Sequence, residues 1–266
     1  GAATRGWGSA LRAAYGKPPA AESPDVPSSY LGYNTDHGAY YYYNPLQGKD
    51  YRETLLAVRD YASSERIPYR WALLDSYWYY KGRGNGVKTW VATEEAFKGG
   101  NAGIAALHAE TGWPFVAHNR YWSNDTTYAK VNGGKYDFIV ESGSRWMREN
   151  GMKEVAMAMP TEARFWDDLL QQAKQWGMAT YEQDWLWNEF RSVDAALESA
   201  TLARDWMLQF GSAAERLGLT VQYCMLYPRH MMQSLELRAV TQMRNSDDYV
   251  PEGTKGSQWQ GGDRNL

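Results

Sequence analysis

Apolar positions recur along the chain in two alternating patterns. Tyr51 to Ser64 carries Leu55, Leu56, Val58 and Tyr61 at helical spacing, with polar residues between them. The next apolar run, Tyr69-Arg-Trp-Ala-Leu-Leu-Asp75, is too short for a helix and reads as a buried strand. The same alternation predicts strands at Tyr30–Asp36, Trp113–Trp122, Ala179–Asp184, Leu219–Met225 and Ala239–Arg244. It predicts helices at about Thr4–Tyr15, Asn101–Thr111, Thr161–Trp176 and Val193–Leu217, with Gly112, Gly177 and Gly218 as stops. Thr161 is the expected N-cap of its helix. Lys130 to Val140, with Asn132-Gly-Gly134, reads as a hairpin insertion, and Met157–Pro160 as the approach to the helix from Thr161.

Six strands thus alternate with helices at intervals of about 40 residues, and each strand ends in polar or charged residues. This is the pattern of an α/β fold of the TIM (β/α)8 type, whose chemistry gathers at the C-terminal strand ends. A doubly wound open sheet alternates likewise, but no Gly-rich phosphate loop follows any strand here. Six units rather than eight give the expectation of an incomplete barrel over residues 29–266. A Pro-, Ala- and Ser-rich lead-in occupies residues 1–28, and the barrel is expected to be cut short at its C-terminus.

Composition narrows the function. A net charge of -3 gives no basic footprint for nucleic acid or an anionic membrane. No apolar run has the length of a transmembrane span. Gly1-Ala-Ala-Thr4 is not a signal peptide, and the lone Cys224, in an apolar run, reads as core. The compartment stays open, with an extracytoplasmic or secreted one favoured; Asn124-Asp-Thr126 fits a glycosylation sequon. The unusual feature is 13 Trp and 20 Tyr against 6 Phe. Rings with a flat apolar face and a hydrogen-bonding edge suit sugars, so a carbohydrate partner is expected over a merely aromatic core. The run Tyr40–Tyr43 is expected in a loop lining a cleft.

The candidate chemistry centres on Ala179-Thr-Tyr-Glu-Gln-Asp184-Trp-Leu-Trp-Asn188. With a strand period of two, Glu182 and Asp184 point the same way. Two carboxyls on one face of a strand end call for a cation, donors or a substrate. Hydrolysis of a glycosidic bond needs two carboxyl groups, one to attack or stabilise and one to give a proton to the leaving oxygen. Asp184 is one candidate, and Asp247 or Asp248 the other. Asp36, Asp75, Trp78, His118, Asn119, Glu182, Trp185 and Arg244, all at strand ends, are the candidate sugar contacts. With 4 His and no HxH or HExxH spacing, His118 and His230 read as hydrogen-bonded wall residues. Neither a metal nor a cofactor is expected. No GxSxG or GxxxxGK[ST] occurs.

At these residues the chain resembles the α-galactosidase/raffinose synthase superfamily of retaining glycoside hydrolases, the clan that includes α-glucosidases. Leu74-Asp-Ser-Tyr-Trp78 is similar to its Asp-Asp-x-Trp motif, and Tyr181-Glu-Gln-Asp184 to the segment bearing its nucleophile. Arg244-Asn-Ser-Asp-Asp248 is similar to its Arg-x-x-x-Asp motif, and Tyr223-Cys-Met with Pro228-Arg-His to the strand-five region of raffinose synthase-like proteins. The resemblance implies a TIM barrel and a retaining α-glycoside hydrolase or transglycosidase. It implies Asp184 as nucleophile, Asp248 as acid/base, selected over Asp247 by its spacing from Arg244, and Asp75 as a holder of sugar hydroxyls. Two positions depart: Ser76 stands at a usual second Asp, and Glu182 at a usual sugar-binding Lys. Both alter the hydroxyls that would be recognised. The alternatives are a catalytically silent relative, binding glycans or building an extracellular or membrane-associated assembly, and a barrel lyase or isomerase using Glu182 as base.

Overall fold

A computed structural model describes residues 1–19, 25–36, 40, 43–151 and 155–244. It contains eleven strands: β1 (Tyr33–Asn34), β2 (Ala72–Leu74), β3 (Tyr79–Lys81), β4 (Val87–Ala92), β5 (Phe115–Asn119), β6 (Trp122–Ser123), β7 (Phe138–Glu141), β8 (Met157–Pro160), β9 (Met178–Gln183), β10 (Thr220–Tyr223) and β11 (Val240–Met243). They form two sheets. The larger has the order β1-β2-β5-β9-β10-β11, and all five of its pairings are parallel. Its strands are the six expected from the apolar runs, each beside its successor and linked through helical segments. Such a sheet is six strands of a TIM-type (β/α) barrel.

Local sequence accounts for the connecting helices. Helix Tyr51–Ser64 opens with a capping box, in which Asp50 accepts from the Glu53 N–H and Glu53 accepts from the Asp50 N–H. It buries Tyr51, Thr54, Leu55, Val58 and Ala62. Helix Asn101–Thr111 ends at Gly112, whose left-handed backbone gives it a glycine stop. Helix Ala163–Gln175 buries Phe165, Trp166, Leu169, Leu170 and Ala173. Its N-cap is Glu162 rather than Thr161, whose hydroxyl instead donates to the Asp137 carbonyl at 3.2 Å. The expected helix Val193–Leu217 is two helices, Asp194–Glu198 and Leu202–Leu217. Glu141 on β7 accepts from the N–H groups of Asp194 and Ala195, and Ser199 Oγ accepts from those of Thr201 and Leu202, so each start has its own cap.

The second sheet, β3-β4-β6-β8-β7, did not emerge from the sequence pattern. Its pairings are antiparallel except β4–β6, and Met157–Pro160 is its strand β8. The Lys130–Val140 insertion contributes a 3-10 turn at Lys130–Asn132 and then β7, not a hairpin of its own.

Aromatic rings fill the core. Seven of the twelve tryptophans among the described residues are buried: Trp78, Trp90, Trp113, Trp122, Trp166, Trp176 and Trp206. Mostly edge-to-face contacts link Trp78 to Trp90 (5.0 Å) and Trp176 (5.6 Å), Trp90 to Tyr181 (5.7 Å), and Trp166 to Tyr181 (5.7 Å) and Phe210 (5.4 Å). Much of the aromatic excess therefore serves packing rather than ligand contact. The lead-in is tied down by Lys17, whose Nζ donates to the carbonyls of Ser234, Leu237 and Val240 at 2.7–3.0 Å. Helix Ala2–Tyr15 itself buries no residue.

Gly177 joins helix Ala163–Gln175 to β9 with φ +102°, and a Cβ there would lie 2.5 Å from the His108 ring. Gly177→Ala is expected to lower unfolding free energy by about 2–3 kcal/mol, from backbone strain plus the clash. Urea denaturation measures this, and a change within experimental error would contradict the junction described.

Candidate active site at the strand ends

The C-terminal ends of all six parallel strands open into one cleft of about 360 Å³. β1 leads to Asp36, β2 to Asp75 and Ser76, and β5 supplies His118 with Arg120 just beyond it. β9 supplies Glu182 and is followed by Asp184 and Trp185. β10 gives Gln222 with Met225 after it, and β11 leads to Arg244.

Register fixes the central group. His118 on β5 and Gln222 on β10 both stand opposite Glu182 on β9. Period-two alternation sends Glu182 and Asp184 into the cleft, while Tyr181 and Gln183 turn away. Gln183 is a brace. It accepts from Tyr181 Oη (2.6 Å) and Asn119 Nδ2 (3.3 Å), and it donates to the carbonyls of Arg120 (2.7 Å) and Asp184 (2.9 Å). The Asp184 N–H donates to the Asn119 carbonyl at 2.9 Å, extending the ladder to Asp184. Trp185 then turns the chain with φ +56°, an unusual conformation for a large side chain, and helix Leu186–Ser192 begins. Met225, across the cleft wall, is a second positive-φ residue (+48°).

Asp184 is buried, yet ionised. Burial alone would raise its pKa. The hydrogen bond and charge of His118, followed by Cys224 and Arg244, bring it below the usual aspartate value. Its Oδ2 lies 3.1 Å from His118 Nε2, and its Oδ1 accepts from the Trp185 N–H at 2.7 Å. Burial would lower the His118 pKa; Asp75, Asp184 and Glu182 override that and carry it to about 9, so the pair is ionic at neutral pH. His118 Nδ1 meets Tyr79 Oη at 3.1 Å, which sets the ring plane. Glu182 goes the opposite way. Burial, with Asp184 and Asp75 nearby, pushes it up to about 8 against the lowering pull of His118 and Arg244. Two carboxyls two residues apart thus rest in different protonation states, as acid/base sites require. Burial raises the Cys224 thiol far above its ordinary value, so it is inert core.

Of the residues singled out in the sequence, Asp36, Asp75, His118, Glu182, Asp184, Trp185 and Arg244 line this cleft. Trp78 does not: it is fully buried against Trp90 and Trp176, where the chain has left the cleft at Ser76 and enters β3 of the second sheet. Asn119 is also fully buried and faces Gln183 rather than the cleft. Asp247 and Asp248 lie outside the described residues, as do Tyr41 and Tyr42; Tyr40 and Tyr43 are not among the lining residues. Arg120 and Gln222 went unremarked as site residues. Arg120 is two residues beyond His118 on the same strand face, and its guanidinium stacks 4.3 Å from the Trp185 ring. Gln222 became visible only with the β9–β10 register.

No family model and no curated protein sequence matches the chain. Solved structures share its fold. The α-galactosidase from Lactobacillus brevis is 14% identical with a TM-score of 0.54, over 83% of this chain and 30% of that one. A family 27 β-L-arabinopyranosidase from Geobacillus stearothermophilus is 13% identical with a TM-score of 0.52, over 83% of this chain and 53% of that one. The chain therefore spans about half or less of these enzymes' length. At such identity the likeness is one of fold: a TIM-type barrel, of which six strands are present among the described residues.

The neutral state of Glu182 has a consequence for stability. A carboxyl raised from an ordinary 4.5 to about 8 contributes stability that is complete below 4.5 and lost as pH rises through 8. Glu182→Gln, which stays neutral, is expected to flatten the fall in melting temperature across that window. An unchanged slope would contradict a protonated Glu182.

Proposed function

We propose that this chain provides the barrel of a retaining α-glycoside hydrolase or transglycosidase in which Asp184 is the nucleophile. The observation that carries the reading is Asp184 itself, an ionised carboxylate at the end of the fourth parallel strand, in a cleft fed by all six strand ends. In a barrel enzyme that is where reacting groups gather. The TIM-type fold, the Asp-x-x-Trp spacing from Asp75 to Trp78 and the Arg-x-x-x-Asp spacing from Arg244 to Asp248 support it.

In this mechanism an Asp184 carboxylate oxygen attacks the anomeric carbon, and the bond from that carbon to the leaving oxygen breaks. A proton moves to the leaving oxygen from a second carboxyl, assigned to Asp248 with Asp247 as runner-up. Water, or a second sugar hydroxyl in transglycosylation, then displaces the Asp184 ester with return of the proton, so the configuration is retained. The protonated His118 orients Asp184 and holds its charge until attack. Trp185 offers a ring to the sugar's C–H face, while Asp36, Asp75, Glu182 and Arg244 meet its polar substituents.

A specific observation favours a second reading, glycan binding without turnover. Asp184 is only 7% exposed, and both its oxygens already accept hydrogen bonds. Attack requires one of them to be released as the substrate arrives.

A panel of α-linked aryl glycosides separates the readings. The chain is expected to hydrolyse at least one with retention, and Asp184→Asn to lower kcat by about 1,000-fold or more. Equal activity in the variant would remove Asp184 from the role. Glycan binding without hydrolysis by either protein would favour the second reading.

A further inference from the structure

The cleft holds four carboxyl groups, Asp36, Asp75, Glu182 and Asp184, against three cationic side chains, His118, Arg120 and Arg244. The cations already have positions. His118 pairs with Asp184 at 3.1 Å, Arg244 lies 3.6 Å from Asp36, and Arg120 stacks on Trp185. Glu182 is 4% exposed; its Oε1 accepts from Gln222 Nε2 at 3.0 Å, and its Oε2 is buried with no hydrogen-bond partner. A buried carboxyl oxygen without a partner is costly, and in a cleft it marks where a ligand group belongs. The charged or titratable groups around Glu182 are Asp75 after β2, His118 on β5, Asp184 after β9 and Arg244 after β11; Cys224 after β10 is a neutral thiol.

From this arrangement we infer that the sugar seated in the cleft carries a protonated amine, bound by Glu182 with Asp75 beside it. The substrate class is an amino sugar with a free, unacetylated amine, and the inference rests on the glycosidase reading above. The partnerless Oε2 needs a donor if Glu182 ionises and an acceptor if it does not. Burial first, and then the nearby Asp184 and Asp75, keep the proton on Glu182, and the cleft's three cationic side chains are one fewer than its four carboxyls. An ammonium supplies that cation, donates hydrogen bonds to both carboxylates and lets the Glu182 proton leave. A neutral hydroxyl brings no charge to replace that proton and would leave Glu182 protonated.

Titration calorimetry near pH 6.5 tests this, with galactosamine and glucosamine set against galactose, glucose and the two N-acetyl forms. The amine form of one series is expected to bind about tenfold tighter than its hydroxyl parent, with the gain lost on acetylation. Measured in buffers of different ionisation enthalpy, its binding should release about one proton. Glu182→Gln should lose both the preference and the proton release. The wild-type comparison of amine with N-acetyl form stands even if that variant does not fold. A hydroxyl parent that binds as tightly as the amine, without proton release, would overturn the inference and leave the glycosidase reading standing. Failure of every sugar to bind would overturn both.

Discussion

The ion pair of His118 with Asp184 is the interaction on which the site depends. A carboxylate buried to this extent would take up a proton if left alone. His118 keeps it ionised, and Asp75 and Asp184 together keep His118 charged against its own desolvation. The pair forms because β5 and β9 are parallel neighbours in a register that sets His118 opposite Glu182, one residue short of Gln183 and two short of Asp184. Tyr79 fixes the imidazole from behind, and Gln183 locks the two strand ends from the other face. The site is thus a property of the sheet, with the side chains as its visible part.

Strain accompanies this arrangement. Trp185 and Met225 both adopt positive φ, and both line the cleft. The Trp187 N–H donates to the Met225 carbonyl at 2.9 Å, so the two turns hold each other. Non-glycine residues persist in such conformations only when the surroundings over-determine them, and they collect at functional sites. The stability that tolerates them comes from the aromatic core beneath, from Trp78 through Tyr181 to Phe210.

The six-strand sheet was legible because each of its strands is an apolar run with a helix or turn on either side. The cleft was legible because those runs end in Asp, His, Glu or Arg, and strand periodicity then put Glu182 and Asp184 together. The second sheet was not: Tyr79–Lys81, Trp122–Ser123 and Met157–Pro160 are two to four residues long and carry no alternation of their own. Trp78 misled because an aromatic at a strand end serves a core as well as a sugar. The break between Glu198 and Leu202 hides in an otherwise apolar helical period, and only the caps from Glu141 and Ser199 reveal it. Arg120 obeys the same two-residue spacing as Glu182 and Asp184, so the sequence contained it, whereas Gln222 needed the register.

The central claim is that Asp184 forms the bond to the sugar. A fluorinated α-glycosyl fluoride tests it directly, since fluorine slows release of the glycosyl ester while fluoride remains a good leaving group. After incubation and digestion, mass spectrometry should find the sugar on the peptide containing Asp184, and nowhere else. Labelling of another carboxyl, or turnover of the reagent with inversion and no adduct, would contradict the account.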